Sequence, residues 1–236
     1  MRLGIMQPYF LPYLGYYSLI KYVDQWIVFD PVQFIRHGWI ERNRILKPAE
    51  GWQYISVPLQ KYTRDTLIKD IRIRSEEDWQ GKLLRQIEHY KKAPFFNQVM
   101  SVLQECFSIN TDSITLLDAH ILKSTCAYLN IPFNYQVFSE MDLDIEPVSD
   151  AGDWALHISK ALKADQYINP PGAMEIFGKE KFSKAGVDLI FLKINPSEYP
   201  QRRKVFEPGL SILDAMMFNS PDQINSMIDD FQLIPA

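Results

Sequence analysis

Short apolar runs at 3–6 and 26–29 are bounded by polar or turn-forming residues, and each predicts a buried strand. Between them Leu19, Ile20 and Val23 share a helical face, so the spacing predicts a helix over 15–23. Strand, turn, helix and strand make a βαβ unit, which requires parallel strands and a right-handed crossover. Further strands are predicted at 54–59 and at 67–73, where apolar and polar residues alternate. The period then changes. Trp79, Leu83, Ile87 and Tyr90 recur at helical spacing over 78–90. Two more helices are predicted at 95–107 and 111–131, the second capped by Thr111 or Asp112. Residues 133–141 read as a strand again.

The last third returns to alternating elements. A helix is predicted over 150–162, a strand running into a loop at 166–172, and a short helix at 173–182. The strand predicted at 187–194 is nearly continuous in apolar residues, as in a sheet covered on both faces. A proline-bounded loop at 196–209 precedes two helices, at 212–217 and 221–228. Repeats and low-complexity segments are absent. The class expected is α/β: a mostly parallel sheet flanked by helices, with a Rossmann-like βαβ start and a helical middle segment. We expect one domain over 1–236, with a helical subdomain at about 76–130.

Composition narrows the function classes. A formal net charge of −4 gives no global basic field to recruit nucleic acid. No apolar run approaches the ~18 residues of a membrane span, and the first residues read as a strand rather than a signal peptide. Cys106 and Cys126 sit in predicted helices without a C-x-x-C pair, so each is expected as a free buried thiol. The expected setting is cytoplasmic. Histidines lack zinc-ligand spacing, and no metal site is expected. No G-x-S-x-G elbow, Walker A loop or full G-x-G-x-x-G is present. Serine hydrolase, P-loop kinase and nicotinamide dehydrogenase readings fall away with them.

The candidate chemistry gathers after the first strand. In an open parallel sheet, ligands bind beyond the carboxyl ends of the strands. There the chain places Gln7, Tyr9, Phe10, Tyr13 and Tyr16, with Pro8 and Pro12 stiffening the loop. Gln7 offers an amide, and the aromatic rings offer faces for a base or sugar. Gly15 permits close backbone approach or a tight entry into the helix, whose N-terminus favours an anion. Simple packing of these aromatics against the core is the competing reading. The stretch is similar in position to the HxGH turn of nucleotidyltransferases and class I aminoacyl-tRNA synthetases. Tyr13-Leu14-Gly15-Tyr16 keeps the glycine and replaces both histidines, and a phenol is no cation at neutral pH.

Taken together, "QPYFLPYLGY", "DPVQF" and "WIERNRI" resemble the WbqC-like family, as do "NPPG", "PSEYPQ" and "SILDAMMFN" further on. The resemblance implies a bacterial protein of O-antigen or other surface-polysaccharide assembly. It draws in Gln33, Trp39, Asn43, Pro171, Gly172, Tyr199 and Gln201 as site candidates. Three positions depart from the family pattern. Glu41 stands where a neutral amide is usual, and Asn169 and Pro170 replace Ser-Gly.

Arg42 and Arg44 would share one face of a strand and suit phosphate or diphosphate; a solvated pair beside acidic neighbours is the alternative. Lys61 is a second phosphate candidate. Asp30, at the end of the second strand, and His37, in a basic loop, are the expected acid–base groups. With the surface-polysaccharide setting that the resemblance implies, the expected activity is a transferase that moves an acyl or aminoacyl group onto the amine of a nucleotide-linked amino sugar. Its donor would be a coenzyme A or carrier-protein thioester. Two alternatives stand beside it: ATP-dependent nucleotidyl transfer or amino-acid activation, and a non-catalytic binding module.

Overall fold

The computed structural model describes residues 1–236. β1 (Arg2–Met6), α1 (Leu14–Tyr22) and β2 (Gln25–Val28) form the expected βαβ unit, with β1 and β2 parallel. β3 (Arg42–Leu46) and β4 (Trp52–Ser56) pair antiparallel as a separate hairpin. Three helices follow: α2 (Trp79–Gln86), α3 (Phe96–Cys106) and α4 (Ile114–Tyr128). Then come β5 (Tyr135–Val137), α5 (Ala151–Ala161), β6 (Gln166–Asn169), α6 (Lys179–Lys184) and β7 (Asp188–Ile194). The chain closes with α7 (Ile212–Phe218), α8 (Pro221–Ile228) and β8 (Phe231–Pro235).

The main sheet has six strands in the order β5-β2-β1-β6-β7-β8, parallel except for the β7–β8 pair. The fold is α/β and Rossmann-like, with helices on both faces. From β1 the chain runs outward through β2 to β5, then returns to place β6 on the other side of β1. The strand order therefore reverses between β1 and β6. That crevice is where an open α/β sheet leaves room for a ligand.

Two apolar cores flank the sheet. Leu3, Ile5, Tyr167 and Phe191 face a smaller core with Ala155, Leu156 and Ile158 of α5 and Phe182 of α6. The larger core joins α1, α7 and α8 to the hairpin and the middle helices, from Tyr16 and Trp26 through Leu83, Leu103 and Leu122 to Met216. Cys106 and Cys126 are free and buried within it. No helix is long and apolar enough to cross a membrane.

Several local expectations need correction. Residues 67–73 do not form a strand. Ile68–Asp70 is a single 3-10 turn, and only isolated bridges (Gln33 to Leu67, Leu59 to Ile73, Arg72 to Ser113) flank it. Ile68, Ile71 and Ile73 are all buried, so one irregular turn satisfies a pattern that mixes spacings of two and three. The cap of α4 is Ser113, whose hydroxyl accepts from the Leu116 N–H, rather than Thr111 or Asp112. The predicted helix over 173–182 splits into a 3-10 segment, Pro171–Ile176, and α6, with Gly178 between them. β5 is shorter than expected and ends in a 3-10 turn. The chain's last strand, β8, was not anticipated, because a half-exposed edge strand ending in proline carries a weak alternation signal.

Candidate functional site

β1, β2 and β6 end at a common cavity of about 920 Å³, within the usual size of small-molecule sites. Met6 ends β1 and Gln7 follows it, Phe29 follows β2, and Asn169 ends β6 with Pro170 after it. The opposite wall comes from Pro12 and Tyr13 at the start of α1, Asn43 and Arg44 of β3, and Gly209. Ala151, Trp154 and Ala155 of α5 complete the enclosure, with Ile176 and Phe177.

One charged residue, Arg44, lines this cavity. Its guanidinium lies 5.4 Å from the Trp39 ring centre and 5.2 Å from that of Trp52, and it donates to the Gly209 carbonyl at 3.0 Å. Gly209 has φ +64, and a side chain there would sit 3.3 Å from the guanidinium, so glycine suits both the turn and the contact. The N-terminus of α1 opens nearby without a side-chain cap or an acidic residue in its first turn. The Tyr16 N–H donates to the Tyr13 carbonyl at 3.0 Å, and the N–H groups of Leu14 and Gly15 have no intrahelical acceptor. A guanidinium on a wall without a carboxylate favours an anion, and the positive end of the α1 dipole behind Tyr13 adds to it. Burial pushes the Tyr9 and Tyr13 phenols up from their ordinary range, so both are protonated donors at neutral pH.

The structure brings Gln7, Tyr9, Tyr13, Gln33, Trp39, Asn43, Arg44 and Gly172 to the cavity wall. Pro171 opens the adjoining 3-10 segment but does not line the cavity. The remaining candidates lie elsewhere. Asp30 is sealed, with 1% of its surface exposed, and its two carboxylate oxygens accept from the Ser139 N–H (3.1 Å) and hydroxyl (2.7 Å). Burial pushes its carboxyl up, opposed by the Ser139 hydrogen bonds. His37 sits in an exposed turn at φ +63, its N–H donating to Glu41 Oε1 at 2.6 Å. Glu41, one of the departures, thus closes the turn that carries Trp39. Arg42 turns away from the cavity. Its guanidinium lies 4.0 Å from the Tyr54 ring centre and donates to the His37 carbonyl. Lys61 is exposed and off the wall.

Tyr16 points inward and donates to the Gln7 carbonyl at 2.7 Å. Gly15 lies beneath the Tyr13 ring, where a methyl group would come within 2.4 Å of it. Glycine is what allows Tyr13 to fold over the helix start. Tyr199 and Gln201 are buried around Asp214, donating to its Oδ2 at 2.8 and 3.0 Å, while Tyr90 donates to Oδ1 at 2.6 Å. This network pins the loop that delivers Gly209 to the cavity.

Phe29, Trp154, Tyr167 and Phe177 also line the cavity, although each reads as core in the sequence. A signal was present: Ala151 and Ala155, one helical turn apart beside Trp154, leave room where larger residues would fill it. The departures Asn169 and Pro170 also line the cavity. Asn169 Oδ1 accepts from the Tyr167 hydroxyl at 2.9 Å, and its Nδ2 donates to the Pro170 carbonyl at 3.0 Å. His, Cys, Asp and Glu residues form no cluster of three or more that could hold a metal ion.

Fold and cavity together define an α/β protein with an amphipathic, singly cationic cavity at the switch point of a parallel sheet. The chain belongs to the WbqC-like protein family, whose sequence model matches residues 7–226. It is also 27% identical over 227 residues to the Mycobacterium tuberculosis (strain ATCC 25618 / H37Rv) protein described as "Uncharacterized protein Rv1507c", covering 92% of this chain and 93% of that one. No solved structure matches the chain significantly.

Proposed function

We propose that this chain is a transferase of bacterial surface-polysaccharide (O-antigen type) biosynthesis, moving an acyl or aminoacyl group to the amine of a nucleotide-linked amino sugar. The family name supplies the link to polysaccharide assembly. The observation that carries the reading is Arg44, set beside the uncapped start of α1 on a cavity that no carboxylate lines. Arg44 holds phosphate, with the positive end of α1 behind Tyr13 adding to the field. Gln7, Tyr9, Tyr13 and Trp39 hold the base or sugar.

The lining includes no carboxylate, imidazole, thiol or aliphatic hydroxyl. Transfer would therefore rest on orientation, which can supply a large part of the barrier for aminolysis of an already activated ester. A cationic wall also favours the neutral form of the acceptor amine, the form that attacks. Asp30 and His37 are left with structural parts. Thermal-shift and calorimetric titration with UDP-, GDP- and dTDP-sugars, coenzyme A and ATP test the reading. A nucleotide-sugar response that Arg44→Ala abolishes supports it, and silence from every compound overturns it.

The same lack of an acid–base group favours a second reading, a non-catalytic ligand-binding module. Saturable sugar-nucleotide binding without acyl transfer from any thioester would select it. Adenylyl transfer draws less support, since Tyr16 of the HxGH-like turn is sealed in the core.

A further inference from the structure

We infer that the deep end of the cavity, beyond the anion site at Arg44, is a sleeve for the uncharged aliphatic chain of the transferred acyl group. The inference rests on the function proposed above and narrows the transferred group to a neutral acyl rather than an aminoacyl one.

The sleeve is visible in which residues line the cavity. Ile5, Tyr167 and Ala155 belong to the core between the sheet and α5, with 6%, 2% and 5% of their surfaces exposed. All three nevertheless line the cavity. The space therefore runs past the strand ends and into the layer between sheet and helix. Trp154 and Phe177 wall it, and the small side chains of Ala151 and Ala155 keep it open.

Polar groups at this end are already engaged. The Tyr167 hydroxyl is bonded to Asn169, and the Asn169 amide to the Pro170 carbonyl. The first N–H groups of α5, on Gly152 and Asp153, are taken by Asp150 Oδ1 at 2.9 and 3.0 Å. A polar occupant would leave water for partners that are spoken for, and an unpaired polar group is costly to bury. An aminoacyl group is excluded more strongly. Its ammonium would meet no carboxylate and would share the cavity with Arg44 and the positive end of α1.

The chemistry balances with a thioester donor. The neutral amine of the acceptor attacks the thioester carbonyl at the mouth of the sleeve. The C–N bond forms, the C–S bond breaks, and the amine proton leaves to solvent or to the departing thiolate. No oxidant or reductant is needed.

Monoalkyl phosphates test the sleeve without assuming a particular donor. Methyl, butyl, hexyl and octyl phosphate would be titrated calorimetrically, beside 6-aminohexyl phosphate. Affinity should rise by up to about fourfold per methylene until the sleeve is full, the factor equivalent to ~0.8 kcal/mol. The amino-terminated chain should bind no better than methyl phosphate. Ala155→Trp should flatten the chain-length series relative to methyl phosphate measured on the same variant. Where circular dichroism shows that variant unfolded, Ala151→Leu narrows the same wall. Phosphate binding with no gain along the series, or equal binding of the amino-terminated chain, overturns the sleeve and leaves the proposed function standing. Failure of all the phosphates and all the nucleotide sugars overturns both.

Discussion

Asn43 donates its side-chain amide to the carbonyl oxygens of Phe10 and Leu11, each at 3.0 Å. Ser211 donates its hydroxyl to the same Leu11 carbonyl at 2.7 Å. Leu11 is buried at φ +43, a left-handed conformation that a leucine rarely adopts. Three motifs far apart in sequence therefore meet at one peptide. The polar residues between the arginines and before α7 hold the first loop in a strained path that brings Gln7, Tyr9 and Tyr13 to the cavity.

Asn43→Ala removes the donor that these two carbonyls share at the buried end of the loop. A buried polar group left unsatisfied costs about 1–3 kcal/mol, and Leu11 keeps Ser211 as a partner. The expected loss is therefore about 2 kcal/mol, read by urea denaturation, with weaker nucleotide-sugar binding as the loop relaxes. Unchanged stability would show that the loop holds its path without this tie.

Arg42 and Arg44 should separate cleanly. Arg44 lines the cavity and Arg42 stacks on Tyr54 outside it. Losing a hydrogen bond to a charged group costs about 1.5–3 kcal/mol, so Arg44→Ala should weaken anion binding by roughly ten- to a hundredfold. Arg44→Lys keeps the charge without the planar fork between two indoles and should recover only part of the affinity. Arg42→Ala should change it by less than about threefold, as expected for a charge outside the site. Calorimetric titration against one nucleotide sugar compares all three. Equal losses in the Arg42 and Arg44 variants would reject the assignment.

Legibility followed physical type. β1, β2 and β7 announced themselves as continuous apolar runs, and α1 and α5 as helical spacing between polar boundaries. Residues 67–73 did not, since three isoleucines were satisfied by an irregular turn. At the site, the aromatic loop was legible as an unusual group after a strand, and Arg44 as one of two arginines sharing a strand face. What a sequence hides is direction. Arg42 and Arg44 share a strand face, yet Arg42 finds Tyr54 while Arg44 finds the cavity. Tyr199 and Gln201 look like binding groups, yet they serve Asp214, whose partners lie 13 to 124 residues away. The apolar wall was hidden for the opposite reason, because a residue lining an apolar cavity has the same chemistry as one filling a core.

The Asp214 network gives an ordered prediction. Tyr199→Phe removes one donor from Oδ2 and leaves the Gln201 amide in place, so the expected loss is about 1 kcal/mol. Tyr90→Phe removes the donor to Oδ1 and also the acceptor of the Leu46 N–H at 2.9 Å. Two groups are orphaned, and the loss should reach about 2–4 kcal/mol. Thermal or urea unfolding of the two variants side by side should rank Tyr90→Phe as the more damaging, and the reverse order would mean that the shared hydroxyl is not the link.

Asp118, in α4, is fully buried, and neither of its carboxylate oxygens has a partner. Burial is the main cause that pushes its carboxyl well above the ordinary range, reinforced by the charge of Glu41. A raised folded-state value means that the folded chain holds more protons than the unfolded one above the ordinary carboxylate pKa of ~3.9. Its contribution to stability is therefore largest at low pH and falls as pH rises through the raised value. Asp30 and Asp214 are raised by burial as well and slope the same way. Asp24 is lowered by its Arg2 hydrogen bonds, and its contribution is lost only as pH falls below the ordinary range. Asp118→Asn removes one of the three downward slopes without changing the side chain's shape. The variant should gain stability relative to the parent between pH 5 and pH 8, measured by urea denaturation at both. A stability difference that stays constant across that interval, or that turns against the variant at pH 8, would mean that Asp118 is not held in its neutral form by burial.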